Sequence, residues 1–234
     1  MHSTICTENC YLLKNLIISH NRISIYGDAS GKTCIILAGA SEDEISRIVP
    51  KEGSGALILC IAVDDWNLEL SPWNAPPAFG KEPFGDGADD LLSVIEKEII
   101  PFAEKEYGPK EYILSGYSLA GLFALYGIYK STRFKGAVAV SPSVWFPGWK
   151  EFISDKRPNA DFVYLSLGDK EEKTKNTVMS SVGDNIRFMH RTLLEQGIDT
   201  CLEWNEGGHF ADAPGRICKG IETALRSYVR KEFI

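Results

Sequence analysis

Read from its amino end, the chain alternates short apolar runs with longer stretches in which apolar residues recur every three or four positions. The runs at 23–26, 33–37, 56–62, 112–115, 136–140, 162–167 and 201–204 predict strands. Several are apolar on both faces, as buried parallel strands are. Helical spacing lies between them. Ser41-Glu-Asp-Glu44 is a capping box that opens a short helix. Residues 88–107 carry Leu91, Leu92, Ile95, Ile99 and Phe102, with Gly108-Pro109 as a stop. Residues 119–129 are almost wholly apolar and predict a buried helix. Residues 178–196 end at Gly197, a C-cap signal, and 214–233 are amphipathic with Pro214 near the start. This order predicts an α/β fold, a three-layer α/β/α sandwich around a mostly parallel sheet. The link 27–31 between the first two runs is too short for a crossover, so they are expected to pair as an antiparallel N-terminal hairpin. Neither a repeat nor a Pro/Gly/Ser linker divides the chain, and residues 1–234 are expected to form one domain.

Composition narrows the function classes. With 44% hydrophobic and 24% charged residues in 234, the chain reads as globular rather than disordered. A net charge of −7 without a basic block argues against nucleic-acid or anionic-membrane partners. Cys6 and Cys10 lack CxxC spacing, and Cys34, Cys60 and Cys201 sit in apolar runs where a thiol acts as a small hydrophobe; Cys218 completes the six. No run approaches membrane-spanning length and no signal peptide is visible, so a cytoplasmic protein with reduced thiols is expected.

The strongest chemical signal is Gly116-Tyr-Ser118-Leu-Ala-Gly121, placed between a strand and a helix. That is the setting of a nucleophile elbow, a sharp turn that lifts a serine hydroxyl clear of the sheet. Small residues are needed two before and two after the serine; Gly116 and Ala120 stand there. The Leu119 N–H, at the helix N-terminus, is placed to bind a developing oxyanion. A second donor is expected after the strand 56–62, near Trp66. Of His2, His20, His190 and His209, only His209, in Glu206-Gly-Gly-His-Phe210, follows the last strand, where a hydrolase base belongs. The acid is expected after the sixth strand run, where Asp169, Glu171 and Glu172 compete; a position three past the strand-ending Gly168 favours Glu171. Its role would be to fix the imidazole tautomer. Gly27-Asp-Ala-Ser-Gly31-Lys-Thr33 imitates a phosphate loop, but it is one residue short and a strand pattern follows it, so it reads as a hairpin turn. Two irregular segments, 64–87 and 141–152, are rich in aromatics (Trp66, Trp73, Phe79, Phe84; Trp145, Phe146, Trp149). They suggest an apolar acyl or aryl pocket; the alternative is that the rings cap the core edge.

The stretches Gly116-Tyr-Ser-Leu-Ala-Gly-Leu-Phe-Ala-Leu-Tyr126 and Ala139-Val-Ser-Pro-Ser-Val-Trp-Phe146 resemble the putative-esterase branch of the α/β hydrolases. Asp65-Trp-Asn and Ser71-Pro-Trp-Asn-Ala75 resemble the corresponding loop of its bacterial members. The branch holds esterase D, siderophore esterases and mycolyltransferases. The resemblance spans roughly residues 20–230. It implies Ser118 as nucleophile, His209 as base and a Glu or Asp between them; Ala120 departs from the family's usual glycine. The expected activity is hydrolysis of a small-molecule carboxylic ester through an acyl-enzyme, with no cofactor and no metal. Acyl transfer, a siderophore-type ester and a catalytically silent binding protein are the alternatives, and a homo-oligomer stays open.

Overall fold

The computed structural model describes residues 12–49, 55–78 and 80–231; Cys6, Cys10, His2 and Phe79 lie outside them. Eight strands form one sheet: β1 (Leu12–Ile18), β2 (Asn21–Gly27), β3 (Thr33–Ala38), β4 (Ala56–Ile61), β5 (Glu111–Tyr117), β6 (Phe134–Val140), β7 (Phe162–Gly168) and β8 (Asp199–Asn205). Their order is β1-β2-β4-β3-β5-β6-β7-β8. The pairs β1–β2 and β2–β4 are antiparallel and every later pair is parallel. The helices are α1 (Glu42–Ile48), α2 (Trp66–Glu69), α3 (Ala88–Val94), α4 (Ile100–Glu106), α5 (Leu119–Lys130), α6 (Trp149–Ser154), α7 (Val182–Glu195) and α8 (Ala213–Lys231).

Strand alternation sorts the core into two layers. Cys34, Ile36, Leu57, Leu59, Leu114, Val163 and Leu165 face one side, where α3, α4, α5 and α7 cover them. Ile35, Leu37, Ile58, Ile113, Val138 and Tyr164 face the other, under α1 and α8. The expected α/β/α sandwich is thus present. Helix α5 is buried from Leu119 to Tyr129, which explains its nearly unbroken apolar sequence. The long helix expected at 88–107 is continuous but not uniform: a π turn at Ile95–Ile99 joins α3 to α4. Pro101 sits in the first turn of α4, where its missing N–H would break an i→i−4 ladder, and the wider turn absorbs that break. The four described cysteines, Cys34, Cys60, Cys201 and Cys218, are free thiols; burial pushes Cys201 up to about 11.

The N-terminal hairpin is not the one expected. β2 and β3 do not pair; β4 lies between them, antiparallel to β2 and parallel to β3. The link 27–31 therefore arches across the end of β4, where the Asp28 N–H donates to the Ala56 carbonyl at 2.9 Å. A Cβ on Gly31 would stand 2.8 Å from the Gly55 carbonyl, so the arch needs glycine there. The actual hairpin is β1–β2, closed by Ser19-His20 with φ of 45° and 73°. That primed turn lacks the usual Asn-Gly signal. β1 is an exposed edge strand, so no alternating apolar face marks it.

Candidate active site

Because β5 to β8 run parallel, their carboxyl ends lie along one edge of the sheet, and the candidate residues Ser118, Glu171 and His209 issue from there. Ser118 joins β5 to α5 with φ 57° and ψ −120°, a strained backbone for a residue with a side chain. Three neighbours hold it. Its N–H donates to the Val140 carbonyl at 3.0 Å, and its own carbonyl accepts from Leu122 and Ser143, each at 3.0 Å. The turn brings residue 116 against residue 120: a Cβ on Gly116 would lie 2.3 Å from the Ala120 carbonyl oxygen and 2.8 Å from its Cβ. Ala120 is wholly buried and is accommodated because glycine faces it. Gly116→Ala is accordingly expected to destabilise the protein by about 2 kcal/mol or more, as overpacking against backbone does; a urea midpoint equal to wild type would contradict this crossing.

His209 lies beyond β8. Its Nε2 is 3.0 Å from Ser118 Oγ, and its Nδ1 is 2.7 Å from Glu171 Oε2. Of the three competing carboxylates, only Glu171 meets the imidazole. Glu172 is paired with Arg187 through both oxygens, at 2.9 and 3.0 Å. Asp169 accepts from the Gly207 N–H at 2.8 Å and so braces the turn that carries His209. The Glu171 side chain is 5% exposed. Its Oε1 accepts from the Gly168 N–H and the Ser141 hydroxyl, both at 2.7 Å. Burial pushes its carboxyl up. Hydrogen bonds from His209, Ser141 and Gly168, with the His209 charge, outweigh burial and hold it below the usual carboxylate range.

Residues that sequence reasoning missed complete the surroundings. Ser143 Oγ is 3.4 Å from Ser118 Oγ. The Tyr117 hydroxyl donates to the His209 carbonyl, and its ring packs 5.3 Å from the imidazole. Arg216, on the first turn of α8, donates to the Glu206 carbonyl at 2.7 Å. Phe210 is 93% exposed, with its ring 5.1 Å from the imidazole. Tyr117, Ser143 and Phe210 lie within the quoted motifs and Arg216 lies outside them, but the contacts of all four depend on which elements become neighbours.

The oxyanion expectations divide. Leu119 opens α5, so its N–H has no intrahelical acceptor. Trp66 opens α2 beyond β4, a strand separated from β5 by β3, and its indole packs on Gly39. The aromatic segments also differ from an open pocket. Phe84, Trp145 and Phe146 are buried and pack on one another, with Phe84 and Phe146 at 5.1 Å, and buried Trp149 packs on Tyr129 and Phe152. They cap the core edge, because rings of that size next to one another exclude water most fully when they interlock. A cleft of about 630 Å³ bordered by Trp66, Asp64, Asp65 and Glu82 remains beside them.

A model of the family described as Putative esterase matches residues 38–207. YbbA, an uncharacterized protein of Bacillus subtilis (strain 168), is 27% identical over 150 residues, 59% of this chain and 60% of that one. The chain thus spans about 60% of the length of the curated relative it matches. Among solved structures, the siderophore hydrolase EstA from Aspergillus nidulans superposes with a TM-score of 0.66 at 20% identity, covering 88% of this chain and 90% of its own. An IroE-like serine hydrolase from Shewanella oneidensis gives 0.69 at 15% identity, covering 89% and 76%. Enterochelin esterase from Shigella flexneri gives 0.66 at 16%, covering 92% and 59%. At such identities the structural likeness speaks for the fold, while the family match runs through both the elbow and the acid loop. The chain belongs to the Putative esterase family and has the α/β-hydrolase fold.

Proposed function

We propose that the protein is a serine hydrolase of small-molecule carboxylic esters, with Ser118 as nucleophile, His209 as general base and Glu171 as the acid of the triad. The carrying observation is the unbroken chain from Glu171 Oε2 through His209 to Ser118 Oγ, at 2.7 and 3.0 Å. An ionised carboxylate can only accept, so Nδ1 carries the proton and Nε2 presents its lone pair to the serine hydroxyl. As Ser118 Oγ bonds to the ester carbon, its proton passes to Nε2, and the carbonyl oxygen becomes the oxyanion. Collapse breaks the bond to the alcohol, which takes that proton from Nε2. Water then attacks the acyl-enzyme with His209 again as base.

The Leu119 N–H is the first oxyanion donor. For the second, Ala40 is a better assignment than Trp66. Ala38 of β3 stands opposite Gly116 of β5, and Ala40 follows in the loop that leaves this neighbouring strand, whereas Trp66 follows β4, one strand further away. Exposed Phe210 supports an apolar acyl or aryl group in the substrate. A siderophore-type ester is a second reading, favoured by the names of the fold neighbours, and parallel assays on an aryl acetate and a siderophore ester separate the two. Transfer to an alcohol or thiol would use the same acyl-enzyme and would appear as a new ester when acceptor is added. A reducing cytoplasm would keep the four free thiols as they are.

The test is labelling with a fluorophosphonate. Stoichiometric modification of Ser118 in the folded protein is expected. Folded protein that stays unlabelled would remove the hydrolase reading in favour of a silent binding protein.

A further inference from the structure

Arg216 is a buried charged side chain beside Glu171 that the chemistry just described does not use. It is 4% exposed. Its place is unusual on two counts. A cation in the first turn of a helix opposes the helix dipole, and a buried guanidinium is costly unless its donors are met. Its donors are met by three separate segments. Nη2 donates to the Glu206 carbonyl at 2.7 Å, at the start of the loop that carries His209. Nη1 is 3.4 Å from Glu171 Oε1 and 3.4 Å from Ser141 Oγ. The space is kept clear by glycine: a Cβ on Gly168 would stand 3.2 Å from Nη1 and 2.9 Å from Glu171 Oε1.

The triad acid and the triad base come from different loops, after β7 and after β8. Bonds from 169–170 to 205–207 tie the bases of the two loops together, and the hydrogen bond at Nδ1 joins their reacting ends. A planar fork with donors in two directions can fix the separation of those loops, whereas a single ammonium cannot reach both with the same geometry. We propose that Arg216 is a positioning residue for the reaction, a clamp whose two arms hold the Glu171 carboxylate and the His209 loop in register. This rests on the serine-hydrolase reading above. The Ser141 hydroxyl serves the same clamp, since it lies within reach of Nη1 and donates to Glu171 Oε1.

The test compares the full-length wild type with Arg216→Gln and Arg216→Lys, measuring kcat, KM and the fluorophosphonate labelling rate on folded protein. For Arg216→Gln, kcat and labelling rate are expected to fall about 100-fold, the scale of a misplacement near 1 Å, with KM within about threefold. Arg216→Lys should recover part of that loss and no more. A Gln variant with reduced melting temperature but wild-type kcat would make Arg216 merely structural and overturn the proposal. So would a Lys variant at the full wild-type rate, since charge without the fork would then suffice. Should the Gln variant not fold, the Lys variant decides: a kcat about tenfold down at unchanged KM supports the clamp. A wild type that is not labelled would instead sink the hydrolase reading itself, which keeps the two failures apart.

Discussion

Ser118→Ala is expected to reduce kcat for a short-chain aryl ester by up to about 10⁶-fold, and His209→Ala by a similar factor. Each group acts only through the other: the hydroxyl is a weak nucleophile until Nε2 takes its proton, and the imidazole has no covalent chemistry of its own here. The double variant should therefore be no slower than either single one. Both proteins should remain folded. Alanine at 118 keeps the same φ of 57°, and the hydroxyl it removes has only the His209 contact at 3.0 Å and a distant Ser143 at 3.4 Å. Steady-state kinetics beside circular dichroism would check this; His209→Ala retaining full activity would refute the assignment of the base.

The second large effect is at Glu171. Replacement by glutamine should lower kcat about 10⁴-fold, because an amide no longer enforces the Nδ1–H tautomer or stabilises the imidazolium. It should also cost about 3 kcal/mol of stability, since it leaves Arg216 buried without its counter-charge and gives the Ser141 and Gly168 donors a poorer acceptor. The pH dependence has a definite sign. Glu171 has a folded pKa below its ordinary value, so its contribution to stability is fully present above the ordinary glutamate range and is lost as pH falls through the depressed folded value. Urea midpoints of wild type should fall in that acid window, and the loss should be smaller in the Gln variant. Glu172→Gln is the control. Its pair with Arg187 is partly exposed, worth about 1 kcal/mol at most, and kcat should stay within about threefold. A large kcat loss at Glu172 and none at Glu171 would transfer the acid to the neighbouring residue.

The parts of this structure that were legible in the sequence are those set by local pattern. Seven strands and the main helices follow from periodicity, and Gly116-Tyr-Ser118-Leu-Ala120 follows from a turn with one steric solution. The distance of Glu171 past Gly168 distinguishes it from Asp169 and Glu172. What was not legible depends on which strands become neighbours. The segment 27–31 is short enough for a hairpin, yet β4 inserts between the strands it joins, and nothing local in Gly27–Gly31 records that. The neighbour of β5 is likewise not legible: β3, and not the strand that precedes Trp66, lies beside it. β1 has no buried face to betray it. Arg216 reads as one basic residue on an amphipathic helix; only the fold brings it behind Glu171. The aromatic segments carry a strong compositional signal with two meanings; Phe84, Trp145 and Phe146 interlock, and Trp149 is buried against Tyr129 and Phe152, as core-edge rings are.

The sequence separations across the site bear on when the protein becomes competent. His209 lies 91 positions after Ser118 and 38 after Glu171. As the chain is synthesised, the elbow and the central strands can form while the imidazole is still unmade. A half-built protein would then display a serine hydroxyl that no base can activate. Only when β8 adds to the sheet edge and α8 docks behind it does the hydroxyl acquire its partner. On the proposed triad, reactivity is coupled to the last steps of folding, and an incomplete chain would carry no armed nucleophile.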